Sequence, residues 1–402
     1  MRDPANSQAQ DSRKEVKSAR PPWHTDAYPE LRPGPPWVME EMIASEPDLV
    51  GPILSNSAAA SVAQLILSAH QRGQPVVTTG CGTSEHGALA VAALVEAGLL
   101  PLGARGGWVE CRQALDALLD PRPGGVLLAV SHDGVTAATA EAMKAARQAG
   151  AKTVLITARP DRTASRVADH LFFVTPVIDR SWCHTVAYVS SILAGAAVAG
   201  AICGEMLNPE ELRDFLRRVE TLRDQAANVA HFLAGCSRLI ITGQGADLIS
   251  ARELALKIEE GARLPAVAIQ LETLLHGHLA ATDGRTGIVF LLCAGFGANR
   301  RDARASLAAR AARRIGMSCA AILAPQSDFP ASLSNGGRIV LPPDDMNRKG
   351  VAALVFALTG SAIALQQLAL ALAHERGSNP DLIRREQEAY REAARIAEQG
   401  AW

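Results

Sequence analysis

The chain has 402 residues, 48% of them hydrophobic, and its 40 Lys and Arg against 41 Asp and Glu leave a formal charge of -1. That length suits two domains of ordinary size better than one continuous core, and scattered, balanced charge offers no basic surface for nucleic acid or an anionic membrane. The cysteines at 81, 111, 183, 203, 236, 293 and 319 form no CxxC pair or Cys/His cluster, so they read as reduced, packed thiols and not as a metal site.

Residues 1–36 read as a disordered or extended N-terminal arm, since the first twenty or so are polar and lack the apolar core of a signal peptide. The prolines around Trp23 and Trp37 predict an ordered end to that arm, suited to bracing a neighbouring subunit, and 37–57 a helical lead-in. From 58 the pattern becomes regular: a helix at 58–71, a strand at 75–79, a glycine turn, a helix at 86–97, then further alternation to 200. That predicts a first α/β domain with a largely parallel sheet. Residues 201–233 read as a helical linker, 234–375 as a second domain and 376–402 as a tail. RLIITGQGADLISARELALKIEEGARL at 238–264 repeats the strand, turn and helix of VVTTGCGTSEHGALAVAALVEAGLL at 76–100, and 287–316 echoes 125–150, so the second half is a structural repeat of the first. The alanine-rich run from Val351 to Ala373, interrupted by Gln366 and Gln367, fits a buried helix better than a membrane span. A cytoplasmic protein is expected.

Two turns carry the chemistry. Gly80-Cys81-Gly82-Thr83-Ser84 follows a strand and opens a helix, so its backbone N–H groups and hydroxyls can converge on an anion or on sugar oxygens. Ser131-His132-Asp133-Gly134-Val135-Thr136 does the same after a neighbouring strand. Either alone is ordinary helix-start chemistry, with glycines for positive φ and Ser or Thr as caps; two in consecutive units of one domain suggest a site. Neither has GxGxxG spacing and no GxxxxGK[ST] loop exists, so nucleotide chemistry is unsupported.

Glu253, Lys257 and Glu260 share one helix face, bordered by Ile249, Leu256 and Leu254. Such a stripe is usually solvated ion pairing, but a narrow one suggests enclosure, and a partly buried Glu can have the raised pKa a carbon-acid base needs. His276 stands where an apolar helix stops at Gly277, a common capping position. His278 adds only a weak hint of a metal pair. Ser181, Cys183, His184 and Thr185 form a third polar cluster, in which Cys183 reads as a packed thiol.

Together these pieces resemble the double-domain form of the sugar isomerase (SIS) family, and in particular the isomerase half of glucosamine-6-phosphate synthase, over residues 37–385. Gly82-Thr83-Ser84 matches the family's CGTS turn, Ser131 to Thr136 its SQSGET turn, ALKIEE with Lys257 and Glu260 its ALKLKE, and His276-Gly277 its HG. The resemblance implies two tandem three-layer αβα domains and a homodimer. It also implies that Gly82, Thr83, Ser84, Ser131, His132, Asp133 and Thr136 bind a sugar or sugar phosphate. Glu260 becomes the base that shuttles a proton between C1 and C2, Lys257 tunes it, and His276 assists ring opening, reaching into a partner subunit's site. No metal or redox cofactor is implied, because aldose and ketose interconvert through an enediol.

The departures shape the expected reaction. Met1 is followed by Arg2 where the synthases carry a catalytic cysteine and a glutaminase domain, and the last lysine is Lys349, so Arg384, Arg385 and Arg391 stand in the segment where synthases place an imine-forming lysine. Isomerisation, deamination or deglycation of an amino sugar or hexose phosphate fits better than synthesis. A non-catalytic sugar-phosphate sensor is the alternative. His132 and Asp133 replace Gln and Ser of the phosphate loop, and a carboxylate there opposes a phosphate dianion unless His132 or an Arg pairs with it.

Overall fold

The computed structural model describes residues 21–399 apart from 24, 26, 27, 29, 104–106, 296 and 345–347. The arm's first twenty residues, read from sequence as disordered, lie outside the described residues. Short helices α1 (Val38–Ser45) and α2 (Val50–Leu54) lead into α3 (Ala58–Gln71), β1 (Val76–Gly80), α4 (Thr83–Leu99), β2 (Val109–Gln113) and α5 (Ala114–Leu119). β3 (Val126–Val130), α6 (Ala137–Gln148), β4 (Lys152–Thr157), β5 (His170–Phe173) and α7 (Val186–Cys203) complete the first half. The second half runs α8 (Pro209–Glu220), α9 (Arg223–Leu233), β6 (Arg238–Gly243), α10 (Ala246–Lys257), β7 (Ala266–Gln270) and α11 (Leu271–Leu275). It continues with β8 (Thr286–Leu292), α12 (Ala298–Ile315), β9 (Ser318–Leu323), β10 (Arg338–Val340), α13 (Gly350–Glu375) and α14 (Glu388–Glu398).

Both sheets are five-stranded and parallel, in the orders β2-β1-β3-β4-β5 and β10-β9-β8-β6-β7, which are the same order read from opposite ends. The repeat seen in the sequence is therefore a repeat of topology. Within the segment read as a linker, α9 holds the place before β6 that α3 holds before β1, and it packs along α13 as α3 packs along α7.

Alternation along the strands decides where the core lies. Val126, Leu128 and Val130 of β3 face one way, and Val289 and Leu291 of β8 do likewise; all join one large cluster with α4, α7, α10 and α13. Leu127 and Ala129 face out against α6, and Ile288, Phe290 and Leu292 against α12. The expectation of two separate cores is thus corrected: the inner faces of both sheets share one core, because α7 and α13, which lie within it, are apolar nearly all round. Glycines permit that closeness. A Cβ at Gly98 of α4 would meet the Ala199 carbonyl oxygen of α7 at 2.9 Å.

Thr83–Leu102, Val186–Cys203 and Gly350–Glu375 are long and apolar enough to cross a membrane, which sequence reading recognised only for the last. The latter two are 83% and 78% buried inside the fold, so packing accounts for their composition.

Candidate active site

β1 and β3 are neighbours, and the chain leaves them to opposite sides of the sheet, so their carboxyl ends frame the crevice where open α/β sheets bind ligands. Both predicted turns stand there. In the first, a Cβ at Gly80 would lie 2.5 Å from the Ser84 carbonyl oxygen, and Gly82 holds φ 56°, ψ -128° as the N-cap of α4. Only glycine meets both demands easily. Gly82 is exposed, Ser84 half-buried and Thr83 buried. The second repeat reproduces the turn at Gly243-Gln244-Gly245, with Gly245 at φ 60°, ψ -126°.

The second turn is less open than its sequence implies. Thr136 is exposed at the start of α6, but Ser131 and His132 are buried. His132 Nε2 accepts the Asp179 N–H at 3.2 Å, which places the ring proton on Nδ1. Burial, reinforced by the His184 charge, lowers the His132 pKa to about 4, so the imidazole is neutral and structural. Asp133 does not pair with it. Instead the Tyr28 hydroxyl donates to Asp133 Oδ2 (3.2 Å) and lies 3.0 Å from His184 Nε2. A phenol has one proton, so with Asp133 accepting it the oxygen is left to accept from His184. Burial, with the Asp133 charge beside it, pushes the Tyr28 phenol well above its ordinary range.

The predicted stripe on α10 forms a connected chain. Thr83 Oγ1 donates to Glu253 Oε1 at 3.3 Å, and His86 Nδ1 lies 2.7 Å from Glu253 Oε2. Lys257 Nζ lies 3.7 Å from Glu253 Oε1 and donates to Glu260 Oε2 at 2.5 Å. The Glu253 and Lys257 side chains are fully buried, whereas Glu260 is 23% exposed. Burial opposes charge on Glu253, but the Lys257 ammonium and hydrogen bonds from His86 and Thr83 outweigh it and hold its carboxyl below the ordinary value. Burial likewise opposes charge on Lys257, and the carboxylates of Glu260 and Glu253 raise it regardless. Lys257 is therefore a permanent cation. Glu260 sits in a π-turn, Ile258–Ala262, that ends α10 at Arg263 in the left-handed region, φ 54°; such turns recur at functional positions.

His276 is not brought to this cluster. Exposed beyond α11, its Nε2 lies 2.9 Å from Glu272 Oε1, and Arg304 clamps Glu272 in turn. Cys183 is buried with its thiol pushed well up by desolvation, as expected of a packed thiol.

Sequence reasoning missed three residues. His86 bonds the Glu253 of the predicted stripe and locks the first turn to α10. Asp179 accepts the Thr185 and Ala187 N–H groups with Oδ2, capping α7. Tyr28 comes from the proline-rich arm and packs edge-on to Trp182 at 5.4 Å. Only His86, two residues past the turn's Ser84, had a local signal.

Residues 69–201 match the SIS domain family. The first repeat is a SIS domain, and the second parallel sheet of the same order fits a tandem SIS architecture. Among curated relatives, glutamine–fructose-6-phosphate aminotransferase (isomerizing) of Helicobacter pylori is 26% identical over 230 residues, covering 54% of this chain and 38% of that protein. Its counterpart in Pyrobaculum aerophilum is 25% identical over 376 residues, 90% of this chain and 58% of that one. The chain spans about a third of the length of the first curated relatives it matches. The C-terminal domain of glucosamine-fructose-6-phosphate aminotransferase from Francisella tularensis superposes with TM-score 0.71 at 18% identity, covering 87% of this chain and 98% of that one. At that identity the likeness is one of fold.

Proposed function

We propose that the chain is an aldose–ketose isomerase of the SIS class, or the related deaminase or deglycase, acting on an amino sugar or its phosphate. The observation that carries this reading is the buried chain from Thr83 and His86 through Glu253 and Lys257 to Glu260. It ties the mostly buried, 23% exposed carboxylate of Glu260 to the turn that would hold the sugar. Lys257 engages Glu260 Oε2 and leaves Oε1 without a protein partner among the described residues, free to face a substrate.

In the proposed reaction the open-chain aldose lies with C2 against Glu260 Oε1. The carboxylate takes the C2 proton, the C2–H electron pair forms the enediol double bond, and the carbonyl oxygen at C1 gains a proton. Return of the proton to C1 with loss of the O2 proton gives the ketose from a hexose; from a 2-amino sugar, loss of an N2 proton instead gives a C2 imine, which water hydrolyses to the ketose and ammonia. Lys257 supplies fixed positive charge as the enediolate develops. The buried Ser131 Oγ of the second turn has no hydrogen-bond partner among the described residues. Asp133, engaged by Tyr28, favours an amino or neutral group over a phosphate dianion nearby. His276 acts on ring opening only if a second subunit presents it, so this reading includes a homodimer.

The test is proton exchange in D2O followed by NMR on glucose, glucosamine and their 6-phosphates. Exchange at C2 of one of them, abolished in Glu260→Gln while binding persists, is expected. A sugar that binds without exchange in the unmodified protein would overturn catalysis in favour of a sensor.

A further inference from the structure

A second cavity lies in the other repeat. It has a volume of about 1110 Å³ and opens at the carboxyl ends of β6, β8, β9 and β10, the counterpart of the crevice in the first repeat. No predicted site residue lines it.

Three helix N-termini open on this space. Gly245 caps α10, Gly297 caps α12 with φ 65°, and Lys349 caps α13; none has a side-chain cap, so their first N–H groups are unspent on side chains. Two further observations point to an anion. Arg300 and Lys349 line the cavity without a protein partner among the described residues, whereas Arg304 is clamped by Glu272 and Arg348 is paired with Asp344 and Glu211. The deepest part of the turn already holds a carboxylate. Asp247 Oδ1 accepts the Cys293 and Ala294 N–H groups at 3.0 and 2.9 Å, while its Oδ2 takes a 2.7 Å hydrogen bond from Arg301. Those N–H groups are therefore already spent, and the cations lining the cavity that are unpartnered among the described residues are Arg300 and Lys349.

Part of the lining is apolar. Ala97 of α4 and Leu100 just past its end come from the first repeat, and Leu354 and Ala357 from α13; Leu100 is 73% exposed. A single sugar phosphate would leave that part uncovered in a space above the usual range of about 300–1,000 Å³ for small-molecule sites. We propose that this cavity binds an organic phosphate with a bulky apolar or aromatic body, its phosphate at Arg300 and Lys349 and its body along α13 and the end of α4. The site is separate from the isomerase cluster, and it joins the two repeats through Leu100.

Isothermal titration of the full chain with 1-naphthyl phosphate tests this. One equivalent should bind, and 1-naphthol and inorganic phosphate should each bind about tenfold or more weakly, because each supplies only half of the contacts. The exposed pair Arg300→Ala/Lys349→Ala should weaken 1-naphthyl phosphate by about tenfold or more, whereas Arg395→Ala, which removes an exposed ion pair on α14, should leave it unchanged. No binding to the unmodified chain, equal binding to the double variant, loss on Arg395→Ala, or inorganic phosphate binding as tightly would each overturn the proposal.

Discussion

Replacing Asp133 by Ser restores the residue that the phosphate loops of this family carry, and the structure lets the effect be sized. Unit charges 4 Å apart repel by about 4 kcal/mol at an effective dielectric near 20. Asp133 is 30% exposed and its carboxylate accepts from Tyr28, so solvent and hydrogen bonding screen much of that repulsion. A net relief of about 2 kcal/mol remains for a sugar 6-phosphate, or about thirtyfold in Kd. Calorimetric titration of glucosamine 6-phosphate and glucosamine into both proteins measures it. The phosphate should tighten by about that factor, more at low salt than at high, while the free amino sugar should not gain. Unchanged phosphate affinity at both salt concentrations would show that Asp133 does not face the ligand's phosphate, and the case for an amine-tolerant loop would fall with it.

His132 makes stability depend on pH. Its folded pKa of about 4 lies below the unfolded 6.5, so below pH 6.5 the unfolded chain binds the extra proton. The contribution, about 3 kcal/mol at full extent, is present above 6.5 and lost as pH falls toward 4; His132→Gln, which keeps an acceptor for Asp179, should flatten the slope of melting temperature over that interval. Lys257→Met leaves Glu253 buried without its cation and should cost about 3–5 kcal/mol in denaturant unfolding; adding Glu253→Gln should recover part of it, and a loss near zero would mean that the pair is not buried in solution. If a second subunit supplies His276, mixing inactive Glu260→Gln and His276→Ala chains should restore about a quarter of the activity through mixed dimers with one intact site each. No recovery after verified subunit exchange would place both residues in the same chain's site or remove one from it.

The parallel sheets, the internal repeat and the two glycine turns were legible because glycine spacing and apolar strands are local signals. So was the α10 stripe, since 3.6-residue periodicity puts Glu253, Lys257 and Glu260 on one face. What joins them was not legible. Tyr28 meets Asp133 across 105 residues and Thr83 meets Glu253 across 170, and no local pattern encodes such pairings. The same holds for the shared core: a helix apolar all round signals burial without saying that two sheets lie on either side of it. His132 misled for a related reason, because a polar side chain in a turn reads as ligand-facing until a backbone N–H from another segment is found to occupy it.

The bond network between Thr83 and Glu260 crosses from one half of the chain to the other, and this bears on how the molecule became what it is. A lone ancestral half, doubled, would have owned two equivalent crevices. Here the carboxylate bonded to the first turn, Glu253, is borrowed from α10 of the second half, and the second crevice has filled its own turn with Asp247. Neither half is a smaller working copy of the whole. Expressed as separate pieces, each half would expose the apolar faces of its inner helices, and the Thr83–Glu253 link would form only on reassembly.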